Sequence, residues 1–267
     1  DSADSTPEFG NEPIASNSMA LMFFNFILTV LSAICLMIIT AILGVLGMTY
    51  YKQDNLLYVP AVPNEAYRYP ESLPAGYRNP REAGMQYEDV YITTKDKVKL
   101  HAWFIKANPA STKLCRTLIF FHENAGNIGT RMPNIEILVK NLYTNVLIVA
   151  YRGYSHSEGT PSENGLKLDA EATLEHVLGR DDVNSERVFV FGRSLGGAVA
   201  IQLAEAHSSR IKGVIVENTF TSIGAMVDRL MPFVAPFKGL IQRIYYPSID
   251  RVGNITAPLC VIRGLRD

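Results

Sequence analysis

Apolar and polar residues are distributed in two different ways along the chain. Residues 19–51 contain no Asp, Glu, Lys or Arg, and most of these positions are apolar. About 20 apolar residues span a bilayer, whereas the apolar part of a cleavable signal peptide has roughly 7–15. This stretch therefore predicts one transmembrane helix. From residue 86 onward, short apolar runs alternate with amphipathic stretches, which predicts a folded domain.

The second region alternates between strand-like and helix-like segments. Two segments with alternating polarity flank residues 95–97 and predict a hairpin. Continuous apolar runs, typical of buried parallel strands, follow at TLIFFH (117–122), NVLIVAY (145–151), VFVFG (188–192), KGVIVEN (212–218) and LCVIRG (259–264). Helical periodicity occurs near residues 129–142, 164–179 and 196–207. Strands that alternate with helices indicate an α/β fold with a mostly parallel sheet and helices on both faces.

Three further segments complete the predicted organisation. Residues 1–18 carry four acidic residues, no basic residue and no initial Met; one hypothesis is a cloning or read-through scar, with Met19 as the natural start. Residues 52–85 hold five prolines and predict a stiff tether between the membrane and the domain of residues 86–267. Residues 219–257 are apolar and interrupted by prolines. They form either a lid over a site or ordinary helices that cover the sheet.

Composition and charge narrow the class of protein. Hydrophobic residues make up 48% of the 267 residues and charged residues 19%, which excludes a disordered chain or a coiled coil. A net charge of −1 gives no basic excess for binding nucleic acid. Cys35, Cys115 and Cys260 lie too far apart along the chain for zinc-ligand spacing and are too few for a disulfide scaffold.

One motif carries candidate chemistry. The strand-like run VFVFG leads into GRSLG (192–196), and a helix-forming, Ala-rich stretch follows. In a G-x-S-x-G turn between strand and helix, Gly192 and Gly196 let the backbones approach, and the Ser194 hydroxyl is raised at a helix N-terminus. Ser194 is thus a candidate nucleophile, and the backbone N–H of Leu195 is a candidate oxyanion donor. Without a catalytic role, the same small residues would only pack a helix closely on the sheet.

Four motifs together resemble the alpha/beta-hydrolase superfamily, in a branch of membrane-anchored serine hydrolases related to acyl-protein thioesterases. They are HENAGN (122–127), YRGYSHSEG (151–159), GRSLGG (192–197) and ENTF (217–220). The resemblance covers residues 20–267 and implies the alpha/beta-hydrolase fold, hydrolysis through an acyl-enzyme, and neither cofactor nor metal. It also implies the Asn124 N–H as second oxyanion donor and Asp267 as the acid that orients a catalytic histidine, with Glu217 as the alternative acid.

The chain departs from this family pattern at two positions. Glu123 and Ser155 stand where the family usually has Gly. A carboxylate at residue 123, beside the oxyanion hole, would oppose the negative charge that develops there. A non-catalytic binding or scaffold protein on a hydrolase fold is therefore the alternative to an enzyme.

The catalytic histidine is the largest gap. In this fold the order is Ser, then acid, then His, but all five histidines precede Asp267. They are His101, His122, His156, His176 and His207. His122 and His156 are the weaker candidates for a base. The preferred expectation is a C-terminal truncation, with a strand, a helix and a histidine-bearing loop beyond residue 267 in the natural protein. The 267-residue chain itself would then be nearly inert, because an unassisted serine hydroxyl is a poor nucleophile.

An apolar lid and a membrane anchor together favour a small acyl substrate, an ester or thioester. The protein would be a single-pass membrane protein, anchored through residues 19–51. The basic residues after the helix would place that side in the cytosol by the positive-inside rule. The resemblance instead implies a type II anchor with the domain outside the cytosol, and the sequon Asn254-Ile255-Thr256 is compatible with glycosylation there. The side of the membrane therefore stays open.

Overall fold

The structure is a computed structural model that describes residues 14–264, with side chains described from residue 18. The chain divides after Tyr51 into two compact units. Asp267 and most of the acidic N-terminal segment lie outside the described residues.

The described part of the first unit is one long helix. Helix α1 (Ile14–Leu57) extends beyond both ends of the predicted segment, and its last residues, from Lys52, belong to the second unit. By length and composition, the helix over residues 18–57 contains a stretch that is apolar and long enough to cross a membrane. Three threonine hydroxyls donate to the backbone carbonyl four residues earlier, at 2.8–2.9 Å, from Thr29, Thr40 and Thr49. Polar groups satisfied within the helix suit a lipid environment, where water is absent.

The described residues of the second unit are built on one mixed sheet of seven strands. The strands are β1 (Gln86–Thr93), β2 (Lys99–Lys106), β3 (Arg116–Phe121), β4 (Thr144–Val149), β5 (Val188–Arg193), β6 (Gly213–Glu217) and β7 (Leu259–Ile262). Their order is β1-β2-β4-β3-β5-β6-β7. The predicted hairpin β1–β2 is antiparallel, β2 pairs antiparallel with β4, and all other pairs are parallel. The prediction of an α/β fold with a mostly parallel sheet is confirmed.

The strand order places a crevice at the carboxyl ends of β3 and β5. The chain leaves β3 towards β4 on one side and returns to β5 on the other, so the two connections diverge. In open α/β sheets, ligands bind at such a switch point, outside the carboxyl ends of the strands. Phe121, at the end of β3, lies opposite Gly192 of β5. The loops that follow these two strands are therefore neighbours.

Helices are present at the three predicted segments, with one irregularity: α2 (Met132–Glu136), α3 (Glu163–Leu178) and α4 (Leu195–His207). The segment between β6 and β7, left open as a lid or as covering helices, contains α5 (Ile223–Leu230), α6 (Lys238–Ile241) and α7 (Ser248–Val252). The segment predicted near 129–142 is composite, because a 3₁₀ turn precedes α2 and one π turn follows it. Helix α4 is buried from Leu195 to Ala204, since its Gly and Ala residues allow close packing on the sheet.

The proline-rich segment after α1 packs onto the second unit and does not stand apart as a spacer. It forms three short 3₁₀ turns, and Tyr58, Pro70 and Leu73 are buried. The Asn127 side-chain amide donates to the Tyr67 carbonyl at 2.8 Å. Composition alone indicated stiffness, whereas the docking depends on these apolar contacts between segments distant in sequence.

Candidate active site

Ser194 occupies a strained turn between β5 and α4. Its backbone angles are φ 52° and ψ −117°, in a region that residues other than glycine rarely adopt. The turn is tight, because a Cβ on Gly196 would lie 2.0 Å from the Phe121 carbonyl oxygen. A Cβ on Gly192 would lie 2.1 Å from the Gly196 carbonyl oxygen. Glycine at both positions is thus a steric requirement, as the motif predicted.

Backbone hydrogen bonds hold this turn. The Ser194 N–H donates to the Glu217 carbonyl at 2.9 Å. The Ser194 carbonyl accepts from the Gly197 N–H and from the Thr219 hydroxyl, each at 2.9 Å. The side chain of Ser194 is half-buried, and its hydroxyl forms no hydrogen bond with the described residues. The arrangement fixes the backbone and leaves the hydroxyl available for chemistry.

The loop after β3 is fixed through Asn124. The Asn124 carbonyl accepts from the Val59 N–H at 3.0 Å and from the Tyr154 hydroxyl at 2.7 Å. Its side-chain amide donates to the Leu57 carbonyl at 2.9 Å. These bonds use the side chain and the carbonyl, and no hydrogen bond among the described residues uses the Asn124 N–H. The two predicted oxyanion donors, Asn124 and Leu195, lie just after the carboxyl ends of the adjacent strands β3 and β5.

Glu123 is neutralised by a residue that the sequence analysis missed. Its carboxylate forms an ion pair with Arg131 at 2.7 Å, and both side chains are more than four-fifths buried. Burial lowers the pKa of Arg131, and the neighbouring Glu123 carboxylate opposes that effect. The departure at residue 123 therefore does not leave an uncompensated charge beside the site. Arg131 lies eight positions further on and belongs to no motif, so no local signal marks it.

The ENTF segment links the nucleophile turn to the end of β7. Asn218 has a left-handed φ of 46°, and its side-chain oxygen accepts from the Gly264 N–H at 2.9 Å. Glu217, the alternative acid, lies 3.6 Å from Arg193. Asp267, the preferred acid, follows Gly264 by three positions and lies outside the described residues, so its role stays a prediction.

His122 is committed to a buried aromatic cluster. Its Nδ1 lies 2.7 Å from the Glu123 carbonyl, which only accepts, so Nδ1 must carry the proton. Its Nε2 is buried without a partner among the described residues, and its ring centroid lies 4.2 Å from that of Tyr151. Burial lowers the pKa of His122 to about 3. A group of such low basicity is poorly matched to proton transfer from serine near neutral pH.

The other predicted departure, Ser155, belongs to a separate polar cluster. Its φ is 50°, and its hydroxyl lies 3.5 Å from His101 Nδ1. The other ring nitrogen of His101 contacts the Asp89 carboxylate at 2.9 Å, and burial lowers the pKa of His101. His156 stacks on Tyr69 and bonds to a glutamate of the proline-rich segment. None of the contacts of these histidines within the described residues involves Ser194.

A cavity with both apolar and polar walls lies on the side of α5. It has about 470 Å³ and is lined by the segment that follows β6, by the end of β7 and by α5, with Phe220, Met226 and Ile262 among its apolar walls and Arg229 and Arg263 among its charged ones. Thr219 lines this cavity and also donates to the Ser194 carbonyl. Among the described residues, no group of three His, Cys, Asp or Glu side chains is arranged to hold a metal ion.

A serine in a strained strand–helix turn, facing a loop from the neighbouring strand at a switch point, defines a hydrolase-type site. A family model described as serine aminopeptidase S33, of the Hydrolase_4 family, matches residues 115–264. The chain belongs to this family of alpha/beta hydrolases.

Related proteins agree with this assignment. The alpha/beta hydrolase domain-containing protein WAV2 of Arabidopsis thaliana is 40% identical, over 80% of this chain and 70% of the relative. Protein bem46 of Schizosaccharomyces pombe is 37% identical, over 83% and 72%. An uncharacterized membrane protein of Saccharomyces cerevisiae is 37% identical, over 82% and 73%. The solved structure of the Pyrococcus furiosus esterase Pf2001 is 26% identical, with a TM-score of 0.58, and the match covers 79% of this chain and 77% of the esterase.

Proposed function

We propose that the protein is a membrane-anchored serine hydrolase that cleaves an ester or thioester through an acyl-enzyme. The observation that carries the proposal is the Ser194 turn, with a φ of 52° and with glycines that no other residue can replace without a clash. A strained backbone at a hydroxyl with no structural hydrogen bond is typical of a functional site. The esterase Pf2001 supports the choice of an ester-like substrate.

In the proposed reaction, the Ser194 oxygen attacks the acyl carbonyl and forms a tetrahedral oxyanion. The N–H groups of Leu195 and Asn124 donate to that oxyanion, as preformed donors that need no reorganisation. A histidine, oriented by Asp267, takes the serine proton and gives it to the leaving group as the bond to that group breaks and the acyl-enzyme forms. Water, deprotonated by the same histidine, then attacks the acyl carbonyl and releases the acid and free Ser194. None of the described contacts of the chain's histidines involves Ser194. The cavity beside α5 is the proposed acyl site, with the acyl chain against Phe220, Met226 and Ile262.

A fluorophosphonate probe, which reacts with activated serines, tests the proposal on the full-length natural protein. We expect labelling of the wild type and its loss in Ser194→Ala. Ser155→Ala is the matched control, because Ser155 also has a left-handed φ and a histidine neighbour, and labelling should persist. Folded wild-type protein that does not react would support the non-catalytic alternative. Matched ester, thioester and amide substrates with the same acyl group then identify the bond cleaved.

We propose a single-pass type II topology, with the domain outside the cytosol. The apolar helix and the relative named as a membrane protein suggest membrane anchoring. Asn254 is exposed, as a glycan acceptor must be. Protease added to intact cells should digest the domain, whereas protease added to inside-out vesicles should not. Deglycosylation should shift the mobility of the protein on a gel, and Asn254→Gln should abolish that shift. Digestion of the domain only from the cytosolic side would contradict this topology.

A further inference from the structure

The segment between β6 and β7 carries an exposed apolar surface. We call it the apolar cap and define it by residues of α5, of α6 and of the turn between them: Leu230, Met231, Phe233, Phe237 and Leu240. Leu230, Phe233 and Leu240 are 68%, 72% and 80% exposed. Several large apolar side chains exposed within eleven consecutive residues are unusual on a surface that meets only water, and they mark an interaction site.

The base of the apolar cap is bonded to the chain directly after its uncharged stretch. The Gln53 side-chain nitrogen donates to the Ile241 carbonyl at 2.6 Å, and its side-chain oxygen accepts from the Arg243 N–H at 2.8 Å. Asp54 adds an ion pair with Arg243 at 3.0 Å. Gln53 and Asp54, which make these bonds, follow Tyr51 by two and three positions in the sequence. The cap is therefore bonded to residues that come directly after the apolar stretch along the chain.

Two ion pairs lie around the cap. Lys238, at the start of α6, pairs with Asp228 of α5, and Arg243 pairs with Asp54. Arg229 of α5, directly before Leu230, is exposed and forms no ion pair among the described residues. The cap therefore offers a partner mainly apolar side chains, with one cationic side chain beside them. Acyl chains match the apolar members, and the phosphates of lipid headgroups match Arg229.

We propose that the apolar cap inserts into the surface of the bilayer that residues 19–51 span. Interfacial apolar groups typically lie ~5–10 Å into the boundary between headgroups and acyl chains. Helix α5 carries part of the cap and also lines the cavity beside Thr219. On the proposed function, acyl substrates then reach Ser194 from the lipid phase, and membrane-resident esters or thioesters are the substrate class.

Tryptophan quenching by brominated lipids tests the insertion in the full chain, reconstituted in phosphatidylcholine vesicles. Phe233→Trp introduces a reporter at an exposed position, against a background of the buried Trp103. We expect its emission to be quenched by lipids with bromine on the upper acyl carbons. Leu114→Trp is the matched control, because Leu114 is 74% exposed and precedes β3 at its amino end, and its emission should not be quenched. Phe26→Trp, within the apolar stretch, confirms that quenching operates.

Two results would overturn insertion: Phe233→Trp emission that brominated lipid leaves unchanged, or emission that shifts only with protein density, which indicates a second copy on the cap. The substrate claim has its own readout. The double variant Phe233→Ser/Leu240→Ser should lose turnover of a vesicle-embedded ester and retain turnover of a short water-soluble ester, whereas Leu114→Ser should retain both. Equal loss on both esters contradicts delivery from lipid. Quenching without any hydrolysis contradicts the proposed function and leaves the insertion standing.

Discussion

The two loops that build the candidate site keep their shapes by different means. The turn around Ser194 is held by backbone hydrogen bonds and by glycines whose replacement would cause clashes near 2 Å. The loop around Asn124 is held by two backbone hydrogen bonds with Val59 and by side-chain hydrogen bonds of Asn124 and Tyr154. Beside it, the buried Glu123 carboxylate depends on Arg131 for its partner. Backbone constraints are local and leave a sequence motif. A side-chain ion pair joins residues that need only be close in space.

This difference predicts that the nucleophile turn tolerates substitution least. Gly196→Ala places a Cβ 2.0 Å from the Phe121 carbonyl oxygen, and backbone on both sides must move. We expect a loss of about 3 kcal/mol in the free energy of unfolding, or failure to fold. Gly239→Ala is the control, since a Cβ there meets nothing within 4 Å. Thermal unfolding in detergent compares them, and equal melting temperatures would refute the steric argument.

The ion pair of the second loop is the next test. Arg131→Met removes the partner of a largely buried Glu123 carboxylate. Breaking such a pair on one side costs about 3 kcal/mol, and the freed charge should also slow fluorophosphonate labelling of Ser194. Glu123→Gln combined with Arg131→Met should recover most of both losses. Lys140→Met breaks an exposed pair with Glu136 and should cost at most about 0.5 kcal/mol. If labelling is also slow in the double variant, the effect of Arg131 on Ser194 does not come from neutralising Glu123.

Much of the fold was predictable because its signals are local. Continuous apolar runs identified the strands, and the strand–GRSLG–helix context identified the Ser194 turn. Arg131 was missed because no motif or spacing in the sequence indicates that its side chain pairs with Glu123. The docking of Tyr58 and Leu73 was missed because proline content reports stiffness and not contact. The role of Asn218, which bonds to Gly264, becomes visible only when β6 and β7 are adjacent.

The buried histidine of the second loop makes stability depend on pH. The pKa of His122 is about 3 in the folded protein, against 6.5 for an unperturbed histidine. The unfolded chain therefore binds the proton first, and stability that is present above pH 6.5 is lost as the pH falls towards 3. This group alone should cost about 2 kcal/mol at pH 5. His122→Asn keeps a donor near the Glu123 carbonyl and does not titrate, so its melting temperature should fall less between pH 7 and pH 5. If the melting temperature of His122→Asn falls as much as that of the wild type, groups other than His122 control the pH dependence of stability.

The smallest effect is expected at Ser155, which lies in neither loop. Ser155→Gly relieves a left-handed φ of 50° worth about 1 kcal/mol, but glycine loses a similar amount through greater freedom in the unfolded chain. The hydroxyl contact with His101, at 3.5 Å, is weak. We expect both the melting temperature and probe labelling to stay close to wild type. A strong loss of labelling would connect this cluster to the site.

The most direct test of the central claim is to locate the probe adduct by mass spectrometry. The full-length wild-type protein is reacted with a fluorophosphonate and digested, and the modified residue is sequenced. A single adduct on Ser194 is the predicted result, because this hydroxyl lies on the strained turn at the switch point of the sheet. An adduct on a different serine, or none on folded protein, would contradict the account.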